Sequence, residues 1–213
     1  MTDVSGLREE ICRIGRLLFQ FSFISGTGGN ISARLDDGDF LITPTKMNKG
    51  FLSSELIVRI GPDCTVKEGQ GKPSSEKLMH LGLYSRLAEA TAIIHAHPVY
   101  ATAFAIRGEA IKTSYSPEAM VFLGSEVPLV EYATPSTQAM ADGLAKHLTP
   151  GISSYLLQNH GVVVWGRSLQ DAFNNLQTLE LYAKQLTIAN LSPGAKPIPQ
   201  WKIDEMKRVF DLE

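Results

Sequence analysis

Residues 90–108 read "ATAIIHAHPVYATAFAIRG", an apolar run that meets two histidines and then a proline. The run predicts a buried strand stopped by Pro98, because proline cannot donate to a sheet ladder. The segment from Val99 then predicts a helix that ends at Gly108. On the strand, His95 and His97 stand at i and i+2, so their imidazoles share one face while Ala96 takes the other. Two rings spaced about 7 Å along a strand can chelate one ion. A second reading fits the pair equally: histidines that hydrogen-bond at a polar strand end.

Outward from this strand, the chain alternates between helical and extended patterns. Leu7, Ile11, Ile14 and Leu18 recur at helical spacing and predict an amphipathic helix over 5–20. "NISARL" and "DFLITP" flank Asp36-Asp37-Gly38 as a hairpin, and "ELIVRI" with "TVKEG" suggests a further strand pair. Helices follow in "KPSSEKLMHLGLYSRL" after Pro73, in "STQAMADGLAKHL", and in "SLQDAFNNLQTLELYAKQLTIAN" with Ser168 as N-cap. "SSYLLQNHG" and "VVVWG" read as strands meeting at Gly161, and a short charged helix closes the chain. "AMVFLG" is assigned to the core by default. The fold class is therefore α/β or α+β, one domain over 1–213, with a central sheet covered by helices.

Composition narrows the function. At 44% hydrophobic and 20% charged, the 213 residues are enough for a sizeable core. A formal charge of −2 with scattered lysines and arginines excludes the basic footprint of a nucleic-acid binder. Cys12 and Cys64 are too few for a disulfide framework and fit a reducing compartment. The N-terminus has no signal-peptide pattern, and no apolar run reaches the roughly 18 residues of a membrane span. The expectation is a cytoplasmic protein without membrane partners.

His160 ends a second apolar strand, where sheet proteins commonly place site residues, and Gly161 allows a sharp turn after it. Glu76 falls in the first turn of the Pro73 helix, either as a ligand or as a carboxylate that stabilises the helix N-terminus. Three histidines and one glutamate would make a nitrogen-and-oxygen site suited to Zn2+, with Mn2+, Co2+ or Fe2+ as alternatives. His80 could share the face of Glu76 but reads more simply as core, and His147 as a helix-end residue. "SGTGGNIS" at 25–32 offers backbone N–H groups for an anion nest, with Thr27 and Asn30 as side-chain donors. "TPTKMNKG" adds Thr43, Thr45 and Lys46, and "KPSSE" adds the Ser74 and Ser75 hydroxyls beside a helix N-terminus. Three polar segments plus a metal centre suggest a phosphorylated substrate; each segment alone is also an ordinary turn.

The ordered set "SGTGGNISAR", "LITPT", "KPSSEKLMHLGLY", "IIHAHPVYATAFA" and "LQNHGVVVWG" resembles the class II aldolase/adducin family over roughly residues 7–190, most of all its L-fuculose-1-phosphate-cleaving branch. The resemblance implies a central, mostly antiparallel sheet and a zinc site of Glu76, His95, His97 and His160 at a subunit interface of a homotetramer. It implies a sugar-phosphate substrate, with the phosphate held by Gly28 or Gly29, Asn30, Thr45, Ser74 and Ser75. Glu76 would be both ligand and proton carrier in cleaving a ketose 1-phosphate to dihydroxyacetone phosphate and an aldehyde. Tyr115 would be the second acid/base, with Glu118 as the other candidate. Lys46 stands where relatives usually carry glycine; it could not repeat a glycine cradle at positive φ, but its ammonium could meet phosphate. Other branches are a 4-phosphate decarboxylase acting on oxo-tetronates, a methylthioribulose-1-phosphate dehydratase and a ribulose-phosphate 4-epimerase. The epimerase typically has Asp in place of Glu76, and the dehydratase reads H-T-H in place of His95-Ala96-His97. A non-catalytic adducin-like module would have lost the ligands that this chain keeps.

Overall fold

The computed structural model describes residues 3–210, so the ends of the expected 1–213 domain lie outside the described residues. In chain order the elements are α1 (Val4–Gln20), β1 (Asn30–Arg34), β2 (Phe40–Ile42), β3 (Val58–Ile60), β4 (Val66–Glu68), α2 (Lys77–Tyr84), β5 (Ala92–Ala96), α3 (Val99–Arg107) and β6 (Ile111–Lys112). There follow α4 (Pro117–Leu123), β7 (Glu126–Val127), β8 (Leu129–Val130), α5 (Gln138–His147), β9 (Ser154–Leu157), β10 (Gly161–Gly166), α6 (Leu169–Ala189) and α7 (Gln200–Phe210).

Eight strands form one sheet in the order β4-β3-β2-β1-β5-β10-β9-β8, antiparallel except where β8 lies parallel to β9. The histidine strand β5 is therefore central, and all five of its residues are buried. Its side chains alternate between two cores. Ala92, Ile94 and Ala96 pack with α1, α3 and α6, while Ile93 packs with α2 and α5. Period-2 alternation puts His95 on the α2 side with Ile93.

Local chemistry explains most element ends. Asp3 accepts the Gly6 N–H at the start of α1, Ser168 accepts the Asp171 N–H at α6, and Gly108 closes α3 at φ 72°. Gly38 turns the β1–β2 hairpin at φ 87°. Three expectations need correction. "AMVFLG" is not undifferentiated core, because Ser116 caps α4 and Pro117 opens it, leaving Met120 and Leu123 buried but Phe122 exposed. Glu76 is the N-cap residue before α2 rather than a first-turn residue, and its side chain makes no cap hydrogen bond. β9 stops at Leu157, so His160 sits in a tight turn whose left-handed residue is Asn159 at φ 56°, not Gly161.

Candidate metal centre and active site

β1 and β10 flank β5, and their register aligns Asn30 and Val163 with His95. The His95 Nδ1–H donates to the Val162 carbonyl at 2.8 Å, which turns a bare Nε2 toward the site. His97 follows the strand, with its backbone N–H held by the Phe23 carbonyl at 2.8 Å. Its Nε2 lies 3.0 Å from His95 Nε2. Glu76 reaches across from the start of α2, with Oε2 3.3 Å from His95 Nε2 and Oε1 3.4 Å from His160 Nε2. The three histidines each offer a nitrogen within 4.8 Å of the others.

This arrangement fits a divalent cation. Bonds of about 2.0–2.1 Å in a tetrahedron place neighbouring ligand atoms about 3.3 Å apart, close to the Glu76–histidine separations. Glu76 Oε1 is buried without a hydrogen-bond partner, a costly state for a carboxylate oxygen unless a cation faces it. The histidines are also held as neutral ligands. His95 is pushed far below its ordinary value by burial and by His97 and His160, and His97 and His160 are lowered chiefly by burial.

Two glycines make room for these rings. A Cβ on Gly161 would lie 2.5 Å from both the Ala96 carbonyl oxygen and His97 Cδ2, and one on Gly28 would lie 3.0 Å from His97 Nδ1. Gly161 is thus required by close approach rather than by turn conformation.

Residues 9–187 match the family described as Class II Aldolase and Adducin N-terminal domain. The chain belongs to that family. It is 36% identical over 196 residues to a 3-oxo-tetronate 4-phosphate decarboxylase of Escherichia coli (strain K12), covering 90% of this chain and 89% of the relative. It is 34% identical to an L-fuculose phosphate aldolase of Methanocaldococcus jannaschii, covering 86% and 97% of the two chains. Among solved structures, an L-fuculose 1-phosphate aldolase superposes with a TM-score of 0.89 at 31% identity, covering 98% of this chain and 97% of that one. The relatives in this class II aldolase family are enzymes, and so is the reading of this chain.

The segment 43–45 joins 72–74 through Thr45 N–H to Lys72 O and Ser74 N–H to Thr43 O, both 3.0 Å. Ser74 is buried and Ser75 exposed, so the two serines face different surroundings. Lys46 is exposed and holds φ 58°, the left-handed conformation that glycine would adopt most easily. The Asn30 side chain is engaged at both ends. Its Nδ2 donates to Glu76 Oε2 at 2.7 Å and its Oδ1 accepts from His80 Nε2, placing the amide behind the carboxylate. His80 is accordingly a buried polar partner rather than simple packing.

Sequence reading missed Lys49. Its buried Nζ donates to the carbonyls of Thr27 at 2.6 Å and Met47 at 2.8 Å, tying the glycine turn to the "TPTK" loop. Burial lowers it to about 8 from 10.5, against the pull of Glu76. Tyr115 and Glu118 stand away from the cluster. Among the described residues, no hydrogen bond, ion pair or ring contact joins either to Glu76 or the three histidines; Tyr115 lies near Tyr182 of α6. His147, the last residue of α5, pairs with Glu131 at 2.8 Å. Among the described residues no helix is long and apolar enough to cross a membrane.

Proposed function

We propose that this chain is a zinc-dependent carbon–carbon lyase that releases dihydroxyacetone phosphate, acting first on 3-oxo-tetronate 4-phosphate and second on a ketose 1-phosphate such as L-fuculose 1-phosphate. The observation that carries the reading is the buried Glu76 carboxylate set against the His95 and His160 nitrogens, with His97 clustered beside them and no hydrogen bond to Oε1. A divalent cation there would polarise the substrate carbonyl and offset the negative charge that develops on its oxygen.

The two reactions converge chemically. A 3-oxo acid loses CO2 from C1 and leaves its electron pair at C2, conjugated with the C3 carbonyl. Cleavage of C3–C4 in a ketose 1-phosphate leaves the same enediolate and an aldehyde. One proton delivered to carbon gives dihydroxyacetone phosphate in both cases, and Glu76 is placed to carry it. The difference lies in the leaving group. CO2 departs without a base, whereas the aldehyde requires a group to take the C4 hydroxyl proton.

The first reading is supported by the decarboxylase relative, whose similarity runs over nearly the whole chain. The second is supported by the aldolase structure of matching fold. Phosphate would be held by the Gly28–Gly29 turn, Thr45, Ser74, Ser75 and the Lys46 ammonium. Tyr115 would serve a neighbour's site in a homotetramer, since it stands off its own cluster. The protein would work in the cytoplasm.

The test is to incubate zinc-loaded protein with each substrate, with and without a chelator, and to follow dihydroxyacetone phosphate. Chelator-sensitive product with CO2 from the oxo-tetronate is expected, with slower aldol cleavage that Tyr115→Phe abolishes. Zinc-bound protein that converts neither substrate, and exchanges no hydrogen of dihydroxyacetone phosphate with deuterium, overturns the reading. An active monomer in sedimentation overturns the interface role of Tyr115.

A further inference from the structure

Behind Glu76 runs a line of buried polar groups that ligand chemistry alone does not require. Asn30 Nδ2 donates to Glu76 Oε2, His80 meets Asn30 Oδ1, Ser32 Oγ lies 2.6 Å from His80 Nδ1, and the Tyr84 hydroxyl lies 2.8 Å from Ser32 Oγ. Asn30, Ser32, His80 and Tyr84 are all buried. Ser32 pairs with Ile93 and Asn30 with His95 across β1 and β5, so both project toward α2, where His80 and Tyr84 stand four residues apart.

The direction of every proton in this line is fixed from one end. A carboxylate only accepts, so Asn30 must present its NH2 to Glu76 and its carbonyl to His80. His80 then donates through Nε2–H, which leaves Nδ1 to accept from Ser32. Ser32 has one proton, so Tyr84 donates to it. His80 is neutral, as this order requires, because burial lowers it to about 3. Reversing one member would set a carbonyl oxygen against the carboxylate.

We propose that His80 is a positioning residue for Glu76: through Asn30 it locks the carboxylate by Oε2, so that Oε2 stays beside His95 and Oε1 stays turned to His160. Ser32 and Tyr84 select the His80 tautomer that makes this possible. The inference rests on the metal reading of Glu76 given above. Partners that orient a metal ligand in this way typically change metal affinity about 10–100-fold when lost.

The test compares His80→Phe, which keeps an aromatic volume without donors, and His80→Gln, whose amide can still donate to Asn30. Zinc affinity is measured by chelator competition, and the visible spectrum of the Co2+-loaded protein reports the ligand set. His80→Phe is expected to weaken zinc binding about 10-fold or more and to alter the Co2+ spectrum, and His80→Gln to recover most of both. Wild-type affinity and spectrum in His80→Phe overturn the proposal, as does a His80→Gln variant no better than His80→Phe. If His80→Phe does not fold, Ser32→Ala decides: an altered Co2+ spectrum supports the tautomer lock and a wild-type spectrum overturns it. Wild-type protein that binds no divalent ion overturns both this inference and the metal reading.

Discussion

The two halves of the proposed site, one for a cation and one for an anion, are built differently. The cation half is anchored to the middle of the sheet: His95 lies on β5, Asn30 behind Glu76 on β1, and His160 in the turn into β10. The anion half is made of loops, in which the glycine turn, the "TPTK" segment and Ser74–Ser75 are held by backbone bridges and by Lys49. Strand register fixes side chains to a face with little freedom, whereas loops hold their shape only through the few groups that tie them. The first half should therefore fail through its ligands and close packing, and the second through its ties.

The largest expected effect breaks the cation half outright. If the proposed zinc site holds, His95→Ala with His97→Ala should abolish stoichiometric zinc and lower turnover about 10³-fold or more, since such an ion would supply several kcal/mol of barrier reduction. Metal analysis and steady-state kinetics check it, and turnover near wild type would sink the metal mechanism.

Gly161→Ala sharpens the comparison without touching a ligand. Its Cβ would meet the Ala96 carbonyl and the His97 ring at 2.5 Å, and a backbone oxygen in a central strand cannot move aside cheaply. Zinc affinity should fall about 10-fold or more, with a stability loss of about 1–3 kcal/mol. Unchanged zinc affinity would mean that strand packing does not set His97.

Lys49→Met attacks the ties of the anion half. Two carbonyls lose a buried donor, so about 1–3 kcal/mol of stability should go and KM for the phosphorylated substrate should rise several-fold with kcat nearly unchanged. The wild type should also show a pH signature that the variant lacks. Folded Lys49 gives up its proton near pH 8, while the unfolded lysine keeps its own to 10.5. Between those values the unfolded state binds more protons, so the unfolding free energy of wild type relative to the variant rises with pH. Denaturant unfolding below and above pH 8 measures this difference, expected on the order of 1–3 kcal/mol; a flat difference would place the ammonium in solvent.

The smallest effect is that of Lys46→Gly. Removing the side chain at φ 58° relieves left-handed strain but adds chain entropy, leaving a gain of about 1 kcal/mol or less. If the ammonium meets phosphate, KM rises despite that gain; an unchanged KM would show the lysine is merely solvated.

How much of this was legible follows from the range of the interactions. The H-x-H pair declared itself because the apolar run before it and Pro98 after it mark a strand end, although β5 closes at Ala96 and His97 lies just beyond it. Pro98 and Gly108 marked boundaries by their own backbone preferences. The glycine-rich turn was visible as a turn, but its attachment to Lys49 was not, because residues 27 and 49 are joined by a lysine head reaching two carbonyls. Lysine is read from sequence as solvated, and nothing local marks this one as buried. The closeness of Asn30 to the glycines was visible, but its bond to Glu76 was not, because that follows from strand register with His95. α4 was missed because a seven-residue helix carries too short a period to stand out, although Ser116 and Pro117 spell its start.

The sequence by itself determined the family resemblance, the buried histidine strand, most helix limits and the candidate set of three histidines and one glutamate. These depend on side-chain type, periodicity and short-range backbone chemistry. Only the tertiary structure decided that Glu76, just before α2, comes to lie beside His95 and His160, and that Asn30, His80, Ser32 and Tyr84 line up behind it. Those facts depend on which strands lie side by side and on where each buried polar group finds its partner, and hydrogen bonds between distant segments leave no local pattern in the chain.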